Sequence, residues 1–478
     1  MYNIFFFGSF VRKPTCHMNK ILAIAVPALL LCACAQTPVR DRVTLENPFG
    51  NALVPDMIAD ASIEEIDGTF YCYATTDGYG RGLETSGPPV VWKSGDFVNW
   101  SFEGTYFPQA EYEKYWAPSK AVEYKGKWYI YPTVNGFMYA AVADSPDGPF
   151  SLIKGNEFIT ENRLIPLDGV HYIDAEIFID DDQTPYVFWG SRHVAKLNPD
   201  MASIDSIRVL QTRERAYSEG PIFFKRKGVY YYLYTIGGDE MYKYYYMMSR
   251  SSPLGPWETP EQDLVSITDY GTGVFGPGHG CVFNLEGTDD YYFAFLEFSR
   301  NSTNRQTYVN PLIFNEDGTI QQVKVTLDGV GALHPVTKPG EILPVGVEAS
   351  SVAPDKKIRY FKDEKCQRTE KFGAEFALDA MNGSRWMPAE SDSAPWLTVD
   401  LGRRRRIGSS ELYFVRPTAG HSYILEGSSD GRKWAEIAVH SDMRKMSPHT
   451  DAIRKSYRYL RVKITGGEAG LWEWKLYR

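Results

Sequence analysis

The sequence predicts an all-β chain: a five-bladed β-propeller followed by a β-sandwich of the jelly-roll kind. Three observations carry this. A short pattern returns five times, an apolar strand, a turn, and then a strand dense in aromatic residues, at 69–75 (TFYCYAT), 127–133 (KWYIYPT), 185–190 (PYVFWG), 229–235 (VYYYLYT) and 291–297 (YYFAFLE). Regular return of a strand group with blade-like spacing is the signature of radial repetition. No stretch of about 12 residues or more keeps a 3.6-residue apolar period, so helices are not expected. After Gly340 the repeat stops and a different set of alternating strands begins.

Taken from the N-terminus, the first segment is a leader. Met18 to Cys34 (MNKILAIAVPALLLCAC) has a lysine, a short apolar run and small residues before a cysteine. The run is too short to span a bilayer and has the layout of an export signal. Leu31-Cys32-Ala33-Cys34 resembles a bacterial lipobox with Cys34 as the lipidated residue; a plain cleaved signal peptide is the other reading. The expectation is an exported periplasmic or cell-surface lipoprotein, held to a membrane only by lipid at Cys34, and a monomer. Residues 1–46 are assigned to leader and linker, 47–338 to the propeller and 339–478 to the sandwich.

Composition narrows the partners. At 478 residues, with 43% hydrophobic content, the chain is long enough for two cores. Its net charge of −9 gives no basic footprint for nucleic acid, and a neutral ligand fits better. Cys72, Cys281 and Cys366 are too few and too scattered for a disulfide framework or a zinc site, and Cys72 and Cys281 read as small core residues.

Within the repeats, other strands and turns complete each unit. Ser145-Pro146-Asp147-Gly148-Pro149 and Ser252-Pro253-Leu254-Gly255-Pro256 are turns by backbone chemistry, since proline presets φ and glycine accepts positive φ. Ahead of the aromatic strands, at the start of the strand before each, stand Asp60, Trp116-Ala117-Pro118, Asp174, Glu219 and His279. Innermost strands of a propeller face its axis, so these positions converge. A carboxylate opening an apolar strand is costly to desolvate and gives the structure little, and three in equivalent positions point to chemistry.

Glycoside hydrolysis needs two carboxyl groups in unlike states, one ionised to act as base or nucleophile and one protonated to donate to the leaving oxygen. A third carboxylate raises the acid's pKa by repulsion. That is the set present here.

Ala59-Asp60-Ala61-Ser62, Trp116-Ala117-Pro118, Ile173-Asp174-Ala175, Ser218-Glu219-Gly220-Pro221 and Gly276-Pro277-Gly278-His279-Gly280 resemble, in order, the motifs of glycoside hydrolase family 43. The resemblance covers about residues 47–335 and implies an inverting enzyme with no cofactor needed for chemistry. It implies Asp60 as general base, Glu219 as general acid and Asp174 as the residue that tunes and orients the acid. His279 matches an axial histidine that either holds calcium through water or is simply buried and hydrogen-bonded. Arg305 matches an arginine that touches both the sugar and the counterpart of Asp174, the alternative being a solvated loop arginine. Trp116 is either an apolar wall for the sugar or a core residue. Two departures, Ala61 where proline is usual and Ser119 where an acid is usual, put the substrate in doubt and leave the carboxylates intact.

The C-terminal part resembles a discoidin, coagulation factor 5/8 type C, module by Ala377 to Trp386, Trp396-Leu397-Thr398-Val399-Asp400-Leu401-Gly402 and Tyr457 to Val462. The resemblance implies sugar binding and a structural calcium near the 379–386 loop; a domain that only buttresses the propeller is the alternative. Trp386 and Trp396 are both expected in its core, and Arg403 to Arg406 on a solvated face. The expected function is exo-acting removal of terminal pentosyl residues from an oligo- or polysaccharide, first as an α-L-arabinofuranosidase, then as a β-xylosidase, and third as a β-galactofuranosidase or galactan-acting exo-hydrolase. A propeller that only captures glycans is the rival from another class. The insertion from Thr76 to Pro89 is expected to narrow the axial funnel to a pocket.

Overall fold

The computed structural model describes residues 37–43, 48–80, 86–166, 173–298, 300, 304–338, 340–359 and 367–478. Cys34, Cys366 and residues 81–85 of the Thr76–Pro89 insertion lie outside them.

Five antiparallel sheets of three or four strands form the blades, four of them in simple up-and-down order; in the second, Thr133–Val134 and Phe137–Met138 pair with Tyr115–Trp116 before the chain returns to the blade. Their first strands are Ile58–Ile66, Val122–Tyr124, Glu176–Ile179, Ile222–Arg226 and Gly278–Asn284. In three blades the first hairpin is closed by an X-Gly pair, Asp67-Gly68, Lys125-Gly126 and Lys227-Gly228, with both residues at positive φ. Two consecutive left-handed residues make the turn whose twist matches paired strands, which is why glycine recurs there.

The aromatic strands are sealed between neighbouring blades, where Phe188 stacks on Phe223 at 4.1 Å between ring centres. The ring closes where the segment ahead of the first blade meets the fifth blade. The Leu53 amide donates to Thr307 O at 2.8 Å and the Asn51 amide to Leu327 O at 2.8 Å, which sets this segment against the fifth blade. Cys72 and Cys281 are buried and unpaired, as small core residues.

The second body is a sandwich. Its main sheet runs Gly346–Ala349, Trp396–Phe414, His449–Gly466, His421–Ser428 and Trp434–Arg444, with Leu471–Tyr477 also paired to Trp396–Phe414. Trp386, Leu397, Val399, Leu401, Leu460 and Val462 fill its core. Trp396 departs from the expectation. Strand residues alternate faces, so with Leu397 and Val399 inward Trp396 must point out, and it lines a surface groove beside Trp434 and Tyr459. Residues 37–43, assigned with the leader and linker, pack on this domain: Val39 is in its core and Arg40 pairs with Glu341 at 2.6 Å.

Candidate active site

The acids sit where the inner strands are bent. Pairing of Ile58–Ile66 with its neighbour shifts register between Ala59 and Ser62. Such a bulge re-aims the side chain at its centre. Asp60 (φ 54°), Ala117 (φ 37°), Asp174 (φ 65°) and Gly220 (φ 52°) all adopt the left-handed conformation. Aspartate tolerates that region better than most residues, and glycine does so freely.

Threonines at the ends of aromatic strands pin these bends. Thr75 Oγ1 donates to Asp60 Oδ2 at 2.7 Å and accepts the Ala117 amide of the next blade at 2.8 Å. Thr133 Oγ1 accepts the Asp174 amide at 3.1 Å, and Thr235 Oγ1 accepts the Glu219 amide at 2.8 Å while donating to its carbonyl.

Asp60, Asp174, Glu219 and His279 converge. His279 Nδ1 lies 3.4 Å from Asp60 Oδ1 and 3.5 Å from Asp174 Oδ2. The Gly220 amide donates to Asp174 Oδ2 at 3.0 Å, tying Asp174 to the residue that follows Glu219 in the chain. A side chain at Gly220 would place its Cβ 2.6 Å from the His279 ring, so that close approach requires glycine.

The electrostatics set two of the carboxyls apart from an ordinary surface acid. Burial, helped by Asp60, pushes Asp174 up to about 7, and burial followed by Asp174 pushes Glu219 up to about 7. Glu219 is therefore a carboxyl able to carry a proton near neutrality. Tyr217 Oη donates to Glu219 Oε2 at 2.5 Å and Tyr242 Oη donates to Oε1, which aims the group and opposes part of the rise. Burial lowers the pKa of His279, so the imidazole is neutral beside its carboxylates.

Arg305 is buried, not solvated, and its partners differ from the expected one. Its Nη1 and Nη2 each reach an oxygen of Asp60 at 3.3 Å, and its amide, Nε and Nη2 donate to Asp77 at 3.0, 2.8 and 3.1 Å. It stands just ahead of strand Gln306–Leu312 in the fifth blade, beside the first blade, so Asp60 and Asp77 are in reach and Asp174 is not its ion-pair partner. Trp116 is half-buried and outside the hydrophobic clusters, next to Ala117 at the site.

Asp77, Tyr217, Tyr242 and the threonines were not singled out by sequence. The threonines had a signal, since Thr75, Thr133 and Thr235 end three of the five quoted aromatic strands. Asp77 and the tyrosines lie near strand ends, and nothing local marks them.

Calcium takes six to eight oxygen ligands. Among the described residues no three His, Cys, Asp or Glu side chains group as a metal site. Around His279 the imidazole Nδ1 faces Asp60 and Asp174, and no step below uses a metal. The sandwich is different. Asp379 and Glu473 are buried, have no ion-pair partner among the described residues, and Glu473 Oε2 has no hydrogen-bond partner. Burial and Asp379 raise Glu473, and burial raises Asp379 to about 6. Were a calcium ion bound here in a structural role, Asp379 and Glu473 would be the side chains to hold it.

Comparison with known proteins agrees with this geometry. The model of glycosyl hydrolases family 43 matches residues 47–320, and that of the F5/8 type C domain matches residues 360–477. A solved "glycoside hydrolase" is 62% identical, covers 90% of this chain and 100% of its own, and superposes with a TM-score of 0.89. A β-D-galactofuranosidase, xynD, of Aspergillus niger is 28% identical over 313 residues, 60% of this chain and 88% of its own length. An arabinoxylan arabinofuranohydrolase of Bacillus subtilis is 28% identical over 251 residues, 45% of this chain, and the chain spans only 48% of that relative. The solved arabinoxylan arabinofuranohydrolase of Bacillus subtilis, in complex with cellotetraose, shares the fold at 19% identity and a TM-score of 0.50, covering 92% of this chain and 98% of its own. With the family model over more than half its length and the carboxylates gathered at the axis, the chain belongs to glycosyl hydrolases family 43, a glycoside hydrolase that carries an F5/8 type C domain.

Proposed function

We propose that this hydrolase removes a terminal furanosyl residue with inversion, as an exo-acting α-L-arabinofuranosidase. The observation that carries the mechanism is the unlike pair, a Glu219 carboxyl able to stay protonated near neutrality and an Asp60 carboxylate ion-paired with Arg305. Asp60 takes a proton from a water as its oxygen attacks the anomeric carbon. Glu219 Oε gives its proton to the glycosidic oxygen as that bond breaks, and the sugar leaves with opposite anomeric configuration. Asp174 keeps Glu219 protonated, and Trp116 offers an apolar wall.

The furanose preference draws on the relatives, which are named for arabinofuranose and galactofuranose. A second reading is favoured by one of them: the Aspergillus niger galactofuranosidase matches over 88% of its own length. α-L-Arabinofuranose and β-D-galactofuranose share ring configuration and differ by a hydroxymethyl extension, so one pocket discriminates them by depth alone. Export as a lipoprotein anchored at Cys34 completes the reading.

The test is hydrolysis of 4-nitrophenyl α-L-arabinofuranoside, β-D-galactofuranoside and β-D-xyloside by wild type, Asp60→Asn and Glu219→Gln, with the first anomer followed by proton NMR. Inverted product from a furanoside, lost in Asp60→Asn, supports the reading. Retained configuration, or activity confined to the xyloside, rejects it.

A further inference from the structure

The sandwich touches the propeller beside the residues that hold Asp60. Arg416 Nη2 donates to Gly78 O at 2.7 Å, its guanidinium lies 4.4 Å from the Tyr79 ring centre, and Thr418 Oγ1 is hydrogen-bonded to Tyr79 Oη. Gly78 follows Asp77. On the other flank, Gln306 Nε2 donates to Asn382 O at 2.9 Å, and Asn382 Nδ2 donates to Ala52 O at 3.0 Å. Gln306 follows Arg305. Met57, just ahead of the Asp60 strand, packs with Tyr413, Val415, Trp472 and Met387 of the sandwich.

We propose that the F5/8 type C sandwich is a positioning element of the hydrolase, with Arg416 and Thr418 holding Asp77, which through Arg305 fixes the carboxylate of Asp60. The proposal rests on Asp60 being the base. Arg305 binds Asp77 by shorter contacts, 2.8 to 3.1 Å, than it makes to Asp60, both 3.3 Å, so the guanidinium follows Asp77. Gly78 at φ 90° and Gly80 at φ 86° flank Tyr79, and on the propeller side the Asp77 amide bonds to Met57 O at 2.9 Å. From the sandwich, Gly78 and Tyr79 are held by Arg416, itself left-handed at φ 48° and paired with Glu468 at 3.2 Å, and by Thr418. A base must hold its water in line, and a shift of about 1 Å costs up to about a hundredfold in rate.

The experiment uses the full chain and a small aryl furanoside, which a separate sugar-binding role would leave unaffected. Arg416→Ala is expected to lower kcat about tenfold with KM within about twofold. Thr418→Val, which removes one hydrogen bond and no charge, is expected to lower kcat about threefold. The loss should persist on a 2,4-dinitrophenyl furanoside, whose leaving group needs no protonation, whereas the loss in Glu219→Gln should shrink there. Arg416→Lys, which keeps a donor for Gly78 O, should recover part of the rate. Unchanged kcat in both Arg416→Ala and Thr418→Val overturns the proposal while leaving the catalytic assignments intact. Full activity in Asp60→Asn, by contrast, removes the assignment on which it rests.

Discussion

Replacing Asp174 by asparagine removes a carboxyl that itself titrates at about 7, and with it a charge that is only about half present at neutrality, and little else. Asparagine is isosteric, tolerates φ 65°, and its amide oxygen can still accept the Gly220 N–H that Asp174 Oδ2 accepts at 3.0 Å. What disappears is repulsion on Glu219. Burial foremost, and Asp174 next, raise Glu219 from 4.5 to about 7. A neighbouring carboxylate supplies on the order of one pKa unit of such a rise, or about 1.4 kcal/mol. The acid must be protonated to work, so rate falls as pH climbs through its pKa. Because Asp174 is itself about half ionised at neutrality, one unit is the ceiling: the alkaline limb moves from about pH 7 to no lower than about pH 6, and the protonated fraction at neutrality drops from about one half to no less than about one tenth. The variant should lose up to about fivefold at pH 7 and almost nothing at about pH 5. Initial rates on an aryl furanoside across the full pH range measure this directly. An alkaline limb that stays in place, or moves up, would refute the assignment of Asp174 as the residue that tunes the acid.

Three further outcomes test the same site. Tyr217→Phe removes a donor to the ionised form of Glu219, so the alkaline limb should move to higher pH, opposite to Asp174→Asn; a shift in the same direction would contradict the hydrogen-bond account. Glu219→Gln should stabilise the protein at alkaline pH. A raised carboxyl pKa means the folded state resists ionisation that the unfolded chain undergoes near 4.5, so stability present below that value is lost as pH rises to about 7. The gain, up to about 3 kcal/mol at pH 8 and near zero at pH 4, is read by denaturant melts at both, and an equal effect at the two would count against it. Finally, Asp60→Ala should be about 1 kcal/mol less stable than Asp60→Asn, because alanine bears the left-handed backbone poorly, and equal melts would discount that strain.

Much of this was legible in the chain. Five aromatic strands with apolar partners declare a propeller because burial between blades demands them, and Asp60, Asp174 and Glu219 stand out because charge at the start of an apolar strand has no structural reason to be there. Trp396 could also have been placed correctly: Leu397, Val399 and Leu401 occupy one phase of the strand, which leaves Trp396 to the other face. Reading the Trp-Leu-Thr-Val motif whole, rather than by alternation, put it inside. Asp77 and Tyr242 had no such signal. Asp77 becomes a site residue only because the first and fifth blades meet where the ring closes, and a partnership with Arg305 across 228 positions leaves no trace in local pattern.

The backbone supplies a reason why these positions face the axis. In four successive blades a left-handed residue falls at the bend before or within the inner strand, at Asp60, Ala117, Asp174 and Gly220. Each such conformation at a non-glycine residue costs about 1 kcal/mol, which the threonine hydroxyls and the ring's packing offset. The repeat therefore provides an inward-facing slot in each blade, and residue identity decides its use. Where the slot holds Asp60 or Asp174, a short carboxylate lies within reach of the axial His279. Where it holds Gly220, the backbone comes so close to His279 that the acid is carried one residue earlier, on the longer arm of Glu219. That offset sets the proton donor apart from the two aspartates, and Tyr217 and Tyr242 then aim it from its own blade, as unlike roles for like groups require.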